Sequence, residues 1–281
     1  MPPQSIDQEE PRKPARRILE QEIMEGLGEI ERSTSGLFMA GLSAGLDVGF
    51  SLFLMAVMLT LVTGMLARPI VEILVANMYA IGFIFVVMGR SELFTEHTTL
   101  AILPVLNRRA SLSSLGRLWG VIYVANLIGA ALFAILVSVT GPALGVIEPR
   151  VFGEIARGLV DYPAWIILLS AVFAGWLMGL LSWLVTAARD TISQVFFVWL
   201  VTMSIGLSHL HHSIAGTVEV LAAVFSGQGV TLAEYGGFLL WATLGNAIGG
   251  IVFVALIKYS HVVRGAPQTK QVTIEEPPPS T

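Results

Sequence analysis

The sequence predicts an all-α membrane protein with six transmembrane helices in two inverted three-helix repeats, helices 2 and 5 being broken. Three observations predict it. The 281 residues are 54% hydrophobic and only 13% charged, with a mean hydropathy of +0.76. A soluble domain carries about 25% charged residues, so too few charges remain here to cover a surface facing water. Six apolar stretches reach the roughly 20 residues that a bilayer crossing needs. Two of the six are too long for one plain helix, and each carries a polar patch at its middle.

The spans fall at about 37–63, 76–104, 115–139, 163–187, 191–226 and 235–259. Before them, residues 1–35 form a polar N-terminal tail with no apolar core of the kind a cleavable signal needs. Residues 1–17 are rich in Pro, Gln and charge, which predicts disorder. Ile18, Leu19, Ile23, Leu27 and Ile30 recur at helical spacing over 18–32, which predicts an amphipathic helix lying on the membrane face. The membrane domain occupies 36–260. Residues 261–281, ending in Glu275-Glu276-Pro277-Pro278-Pro279, are expected to be a disordered tail.

An even number of spans puts both termini on one side. That side holds twelve Lys and Arg residues and the other only Arg68, Arg150 and Arg157. Cationic residues favour the cytoplasmic face, so both termini are expected in the cytoplasm, with the chain in a bacterial-type inner membrane. There is no cysteine, which excludes disulfides, thiolate metal sites and a thiol nucleophile.

The third span contains Ala125-Asn126-Leu127-Ile128-Gly129-Ala130, and the sixth contains Gly245-Asn246-Ala247-Ile248-Gly249-Gly250, 120 residues later. The interrupted spans show a similar offset, 117 residues from Thr95 to His212. Two halves of three spans each must lie in opposite orientations, a plan that places a solute site at the repeat interface near the bilayer midplane. The small residues allow close helix approach. Asn126 and Asn246 are expected to tie helices together by hydrogen bonds.

The second span reads Gly89-Arg90-Ser91-Glu92-Leu93-Phe94-Thr95-Glu96-His97 at its middle, and the fifth reads Ser208-His209-Leu210-His211-His212-Ser213. Irregular backbone at that depth survives only inside protein or beside water. Ionisable side chains there mark solute or proton pathways. Thr95 and Ser213 stand where a second half-helix begins, and the free N–H groups of such a start favour an anion. Glu92 and Glu96 are expected to satisfy loop N–H groups or Arg90, and Asp47 to bond to the loop. His209, His211, His212 and Glu219 raise the alternative of a metal-dependent hydrolase. No H-E-x-x-H arrangement accompanies them, so neither a metal, a cofactor nor an enzyme is expected.

At these residues the chain resembles the formate/nitrite transporter family, over about residues 37–260. Glu92-Leu93-Phe94-Thr95 is similar to that family's acidic-Leu-Phe-Thr loop. Trp119, Tyr123 and Asn126-Leu127-Ile128-Gly129 resemble its third-helix pattern. His212-Ser213-Ile214-Ala215 resembles the string of its broken fifth helix. The resemblance implies an aquaporin-like subunit, a homopentamer of separate pores, and passage of a small weak-acid anion such as formate or nitrite. Its partners would be that anion and lipid, with no nucleic acid. His212 would face the pore centre beside Thr95, with Leu93 and Phe94 at a constriction. Gly206-Leu207-Ser208-His209 offers a competing alignment with His209 as the pore histidine; His212 keeps Ser213, Ile214 and Ala215 in register. Counting back from His212 puts Gly175 where the family carries a pore Asn in the fourth helix. A vestibule Lys before that helix is absent, with Arg157 nearby. A channel for small neutral solutes of the aquaporin type is the alternative, although neither break carries its Asn-Pro-Ala.

Overall fold

The computed structural model describes residues 12–265. The first helix, α1 (Ala15–Glu31), buries Ile18, Leu19, Ile23 and Ile30 on the bundle. Helix formation therefore starts at Ala15, inside the stretch read as disordered; that expectation for residues 1–11 lies outside the described residues. The first crossing is two helices, α2 (Thr34–Asp47) and α3 (Gly49–Val62), hinged at Val48.

The second crossing begins with α4 (Arg68–Gly89), eight residues before its expected start at 76. The polar residues at its beginning do not end the helix because they are satisfied there. Arg68 pairs with Glu72 at 3.2 Å, and Asn77 donates to the Ile73 carbonyl. After a four-residue break come α5 (Phe94–Leu100) and the short α6 (Ile102–Leu106). The third crossing is α7 (Leu112–Ala143).

An amphipathic helix that hydropathy alone did not reveal, α8 (Arg150–Val160), follows, with Val151, Phe152, Ala156 and Leu159 turned inward. The fourth crossing is α9 (Ala164–Ala187). The fifth is α10 (Thr191–Leu207), a break, and α11 (Ser213–Phe225). The sixth is α12 (Leu232–Ile248), a π-helical stretch over Gly249–Leu256, and α13 (Ile257–Arg264). Helix thus runs four residues past the expected boundary at 260, and residues 266–281 lie outside the described part. Five crossings contain helices long and apolar enough to span a membrane, while α10 and α11 are each too short. The fifth crossing is completed only by the two together.

The outer faces carry what lipid or a neighbouring subunit requires. Val124, Ile128, Leu132, Ile135 and Val139 of α7, and Leu240, Leu244 and Val252 of the sixth crossing, are exposed apolar side chains. Inside, glycines set the helix contacts. A Cβ on Gly45 would stand 2.3 Å from the Asn126 carbonyl oxygen, and one on Gly175 would stand 2.1 Å from that of Asn246. Gly175 is therefore the counterpart of Gly45 in the other half. It is a place where two backbones touch and not a position facing a pore.

Candidate functional site

The two breaks are built from the same parts. Just past the end of α4 stands Arg90, whose φ of +55° puts it in the left-handed region, and two residues past the end of α10 stands His209 with φ +49°. Left-handed residues close helices by turning the next N–H groups back onto the last carbonyls. Ser91 donates to the Val86 carbonyl and Leu210 to the Ile205 carbonyl, each at 3.1 Å.

Each chain then runs three residues to a new helix start, held by one asparagine. Asn126 Oδ1 accepts from the Phe94 N–H at 2.8 Å, while its Nδ2 donates to the carbonyls of Glu92 and Gly41. Asn246 Oδ1 accepts from the Ser213 N–H at 2.8 Å, while its Nδ2 donates to those of His211 and Ala171. Both amides are fully buried. Each satisfies two backbone groups that a break in lipid would leave bare, at several kcal/mol per group.

These bonds fix the internal equivalence. Arg90 corresponds to His209, Glu92 to His211, Leu93 to His212 and Phe94 to Ser213, all 119 residues apart. The expected pairing of Thr95 with His212 by repeat offset is therefore wrong by two residues. Thr95 is not the counterpart of His212 but its partner across the axis. Thr95 Oγ1 lies 2.8 Å from His212 Nε2, and both side chains are buried.

Two cavities flank this contact. The first, on the side of α1, has a volume of about 530 Å³ and includes Lys13, Glu25, Glu29, Arg32, Arg90, Glu92, Glu96 and His97 in its wall. The far-side cavity, of about 600 Å³, is walled by α3, α4, α8 and the second break, and reaches His212, Gly216 and Glu219. Thr95, Leu93 and Phe83 line neither cavity. They form the seam between them with His212, against which the Phe83 ring stands edge-on at 5.2 Å. The two αL residues are on opposite sides of this seam. Arg90 opens into the tail-side cavity and His209 into the far-side one.

The other predicted residues fall as follows. His209 is exposed and pairs with Glu72 at 3.0 Å, so it sits at a rim and not at the centre. His211 is held by Ser170 Oγ at 2.8 Å and by the Leu159 carbonyl at 3.0 Å. Phe94 packs on Tyr123 and Trp119 of α7, at 4.8 and 6.4 Å between ring centres. Glu92 does not satisfy loop N–H groups or Arg90, as the sequence suggested. It binds Arg32 at 2.7 Å and His97 Nε2 at 2.5 Å, because α1 and its following turn lie directly over the break. Glu96 opens into the tail-side cavity. Asp47 accepts from Ser91 at 2.8 Å and from Ser43 at 3.0 Å. Among the described residues no three ligating side chains converge on a metal position.

Helix α1 carries two acids whose ionisation burial opposes, Glu22 on its buried face against α9 and Glu25 in the wall of the tail-side cavity. Glu22 accepts from Ser182 Oγ at 2.9 Å, and burial pushes its carboxyl up to about 8. Burial also raises Glu25.

The hydrogen bonds define the state of the central histidine. His212 caps α11, and its Nδ1 accepts from the Ala215 N–H at 3.2 Å. An accepting Nδ1 carries no hydrogen. In the neutral ring the proton then resides on Nε2 and points at Thr95, a tautomer assigned from the bonding network. A second proton on Nδ1 would set N–H against N–H and add a positive charge at a helix N-terminus, which disfavours cations.

Two buried caps holding broken helices nose to nose between two cavities are the architecture of an aquaporin-like membrane channel. The chain belongs to the formate/nitrite transporter family, whose sequence model matches residues 16–260. It is 29% identical over 262 residues to the inner membrane protein YfdC of Escherichia coli, covering 92% of this chain and 82% of that one. It is 28% identical over 227 residues to the nitrite transporter NirC of Salmonella typhimurium, covering 79% and 81%. A solved structure described as a pentameric formate channel with formate bound has the same fold, with a TM-score of 0.70 and 23% identity over 82% of this chain and 98% of that one. The protein is a multi-pass membrane transport protein of this family.

Proposed function

We propose that this chain conducts a small monovalent weak acid, of the size of formate or nitrite, across the bacterial inner membrane in a proton-linked manner. It does so as a homopentamer with one pore per subunit. The tail-side cavity faces the cytoplasm, in line with the excess of Lys and Arg there.

The observation that carries the reading is the Thr95–His212 contact at the seam between two cavities. An anion reaching the seam can replace Thr95 Oγ1 as the acceptor of the His212 Nε2 proton. One hydrogen bond does not compensate an anion for lost hydration in an apolar passage. The passage beyond the histidine, framed by Leu93 and Phe83, therefore favours the neutral acid. His212 serves as a fixed hydrogen-bond donor at the narrowest point. Transfer of an excess proton from His212 would first require release of the Ala215 cap.

The test is uptake into proteoliposomes of formate, nitrite, acetate, lactate and hydrosulfide, across pH, for the wild type and His212→Phe. The reading predicts uptake of at least one acid, accelerated at acidic pH, and its loss in His212→Phe. Passage of water or neutral solutes with no acid would establish the aquaporin-like alternative. Acid flux that ignores His212→Phe would remove the histidine from the route.

A further inference from the structure

We propose that Glu219 is the proton donor for the solute in the far-side cavity. This rests on the weak-acid reading above and names the group that supplies the proton. The central histidine is badly placed for that task. Its Nδ1 is occupied by the Ala215 N–H and its Nε2 proton is engaged with Thr95. A neutral imidazole that gave up Nε2–H would become an anion, which no weak acid near neutral pH would drive. A protonated solute needs another source.

The far-side cavity holds one. Glu219 lies seven residues after His212, two turns of α11 and about 10 Å along the same face. Both side chains line this cavity. Glu219 is only 5% exposed, yet among the described residues no hydrogen bond or ion pair engages its carboxyl. Carboxylates buried at such depth are costly and mark solute or proton routes.

The groups facing it differ in this respect. From α4, Arg68 and Glu72 pair with each other, and Glu72 also takes His209 from the second break. From α8, Glu154 approaches Arg150 at 3.8 Å. Tyr79 of α4 and Tyr162 after α8 contribute hydroxyl groups to the wall. Helix α3 contributes only Met55 and Leu59, and α5, α7 and α12 contribute no charged group to this cavity. The rim charges are matched among themselves, and Glu219 stands beneath them unmatched.

The step balances simply. The Glu219 carboxylic acid gives its O–H proton to the entering anion, leaving a carboxylate and the neutral acid. The acid passes His212, and the carboxylate is reprotonated by hydronium from the solution on the far side, so that each passage carries one anion and one proton. Outward flow runs the same step in reverse.

The experiment is formate uptake into oriented proteoliposomes with the far side outward, for wild type, Glu219→Gln and Glu219→Asp, at external pH 7 and pH 4. Small carboxylic acids titrate near pH 4, so bulk water itself supplies the neutral acid there and only traces of it at pH 7. The expected result is a loss of about tenfold or more in Glu219→Gln at pH 7, near-wild-type flux at pH 4, and substantial recovery at pH 7 in Glu219→Asp. Equal loss at both pH values, in which Glu219→Asp shares, would mark Glu219 as a packing residue and overturn the proposal. Unchanged flux in Glu219→Gln would overturn it while leaving the weak-acid reading intact. Absence of any wild-type acid flux would overturn both.

Discussion

Replacing Asn246 by Ala tests the construction of the site. The substitution leaves the Ser213 N–H and the His211 carbonyl without the amide that binds each at 2.8 and 3.0 Å. The Ala171 carbonyl, within α9, keeps its helical bond. An unsatisfied buried polar group costs about 1–3 kcal/mol, so the loss amounts to about 2–6 kcal/mol. At about 2–4 °C per kcal/mol for a chain of this size, the midpoint of thermal unfolding falls by on the order of 10 °C. Tryptophan fluorescence of the detergent-purified protein reads it. Asn126→Ala strips the Phe94 N–H and the Glu92 carbonyl in the same way, so the repeat predicts a loss of similar size. A shift below about 1 °C in either variant, or one variant badly destabilised and the other silent, would refute both the hydrogen-bond accounting and the equivalence of the halves.

Two further outcomes follow from the packing. Glu22 in α1 has its carboxyl raised to about 8 by burial, whereas an undocked α1 would release that proton near the ordinary 4.5. Docking of α1 is then strongest below pH 4.5, weakens as the pH rises to 8 and is level above. Proteolysis of the N-terminal helix should follow that curve, and Glu22→Gln, which can still accept from Ser182, should flatten it. Gly175→Ala drives a Cβ to 2.1 Å from the Asn246 carbonyl, whereas a Cβ on Gly158 meets nothing within 4 Å. Size-exclusion chromatography should show folded yield lost in Gly175→Ala and retained in Gly158→Ala.

Much of this was legible in the sequence because lipid simplifies the problem. Long apolar runs must be helices there, so a run with Glu92-Leu93-Phe94-Thr95 or His211-His212-Ser213 at its centre must be broken. The recurrence of Asn126 as Asn246 is visible in the sequence and exposes the repeat. What escaped depended on direction in space. Thr95 and His212 read as counterparts because their offset was close to 120, and only the asparagine bonds show that Leu93 holds the equivalent place. Gly175 looked like a vacancy at a pore because counting along a helix cannot say which way a residue points. Helix α8 is too short and too amphipathic for a hydropathy window, although Val151, Phe152, Ala156 and Leu159 carry its period. Glu219 stood out only as a possible metal ligand, since nothing in one dimension distinguishes an unpaired carboxylate from a paired one.

A closed seam at His212 should separate the two cavities and leave them open to opposite sides of the membrane. The chain has no cysteine, so single cysteines can test this without background. Gly158→Cys lies on the far-side cavity and Met88→Cys on the tail-side one. With a membrane-impermeant thiol reagent applied to intact cells, Gly158→Cys should be labelled and Met88→Cys protected, and the reverse should hold in inside-out vesicles. Labelling of both from one face, or of neither from any, would contradict it.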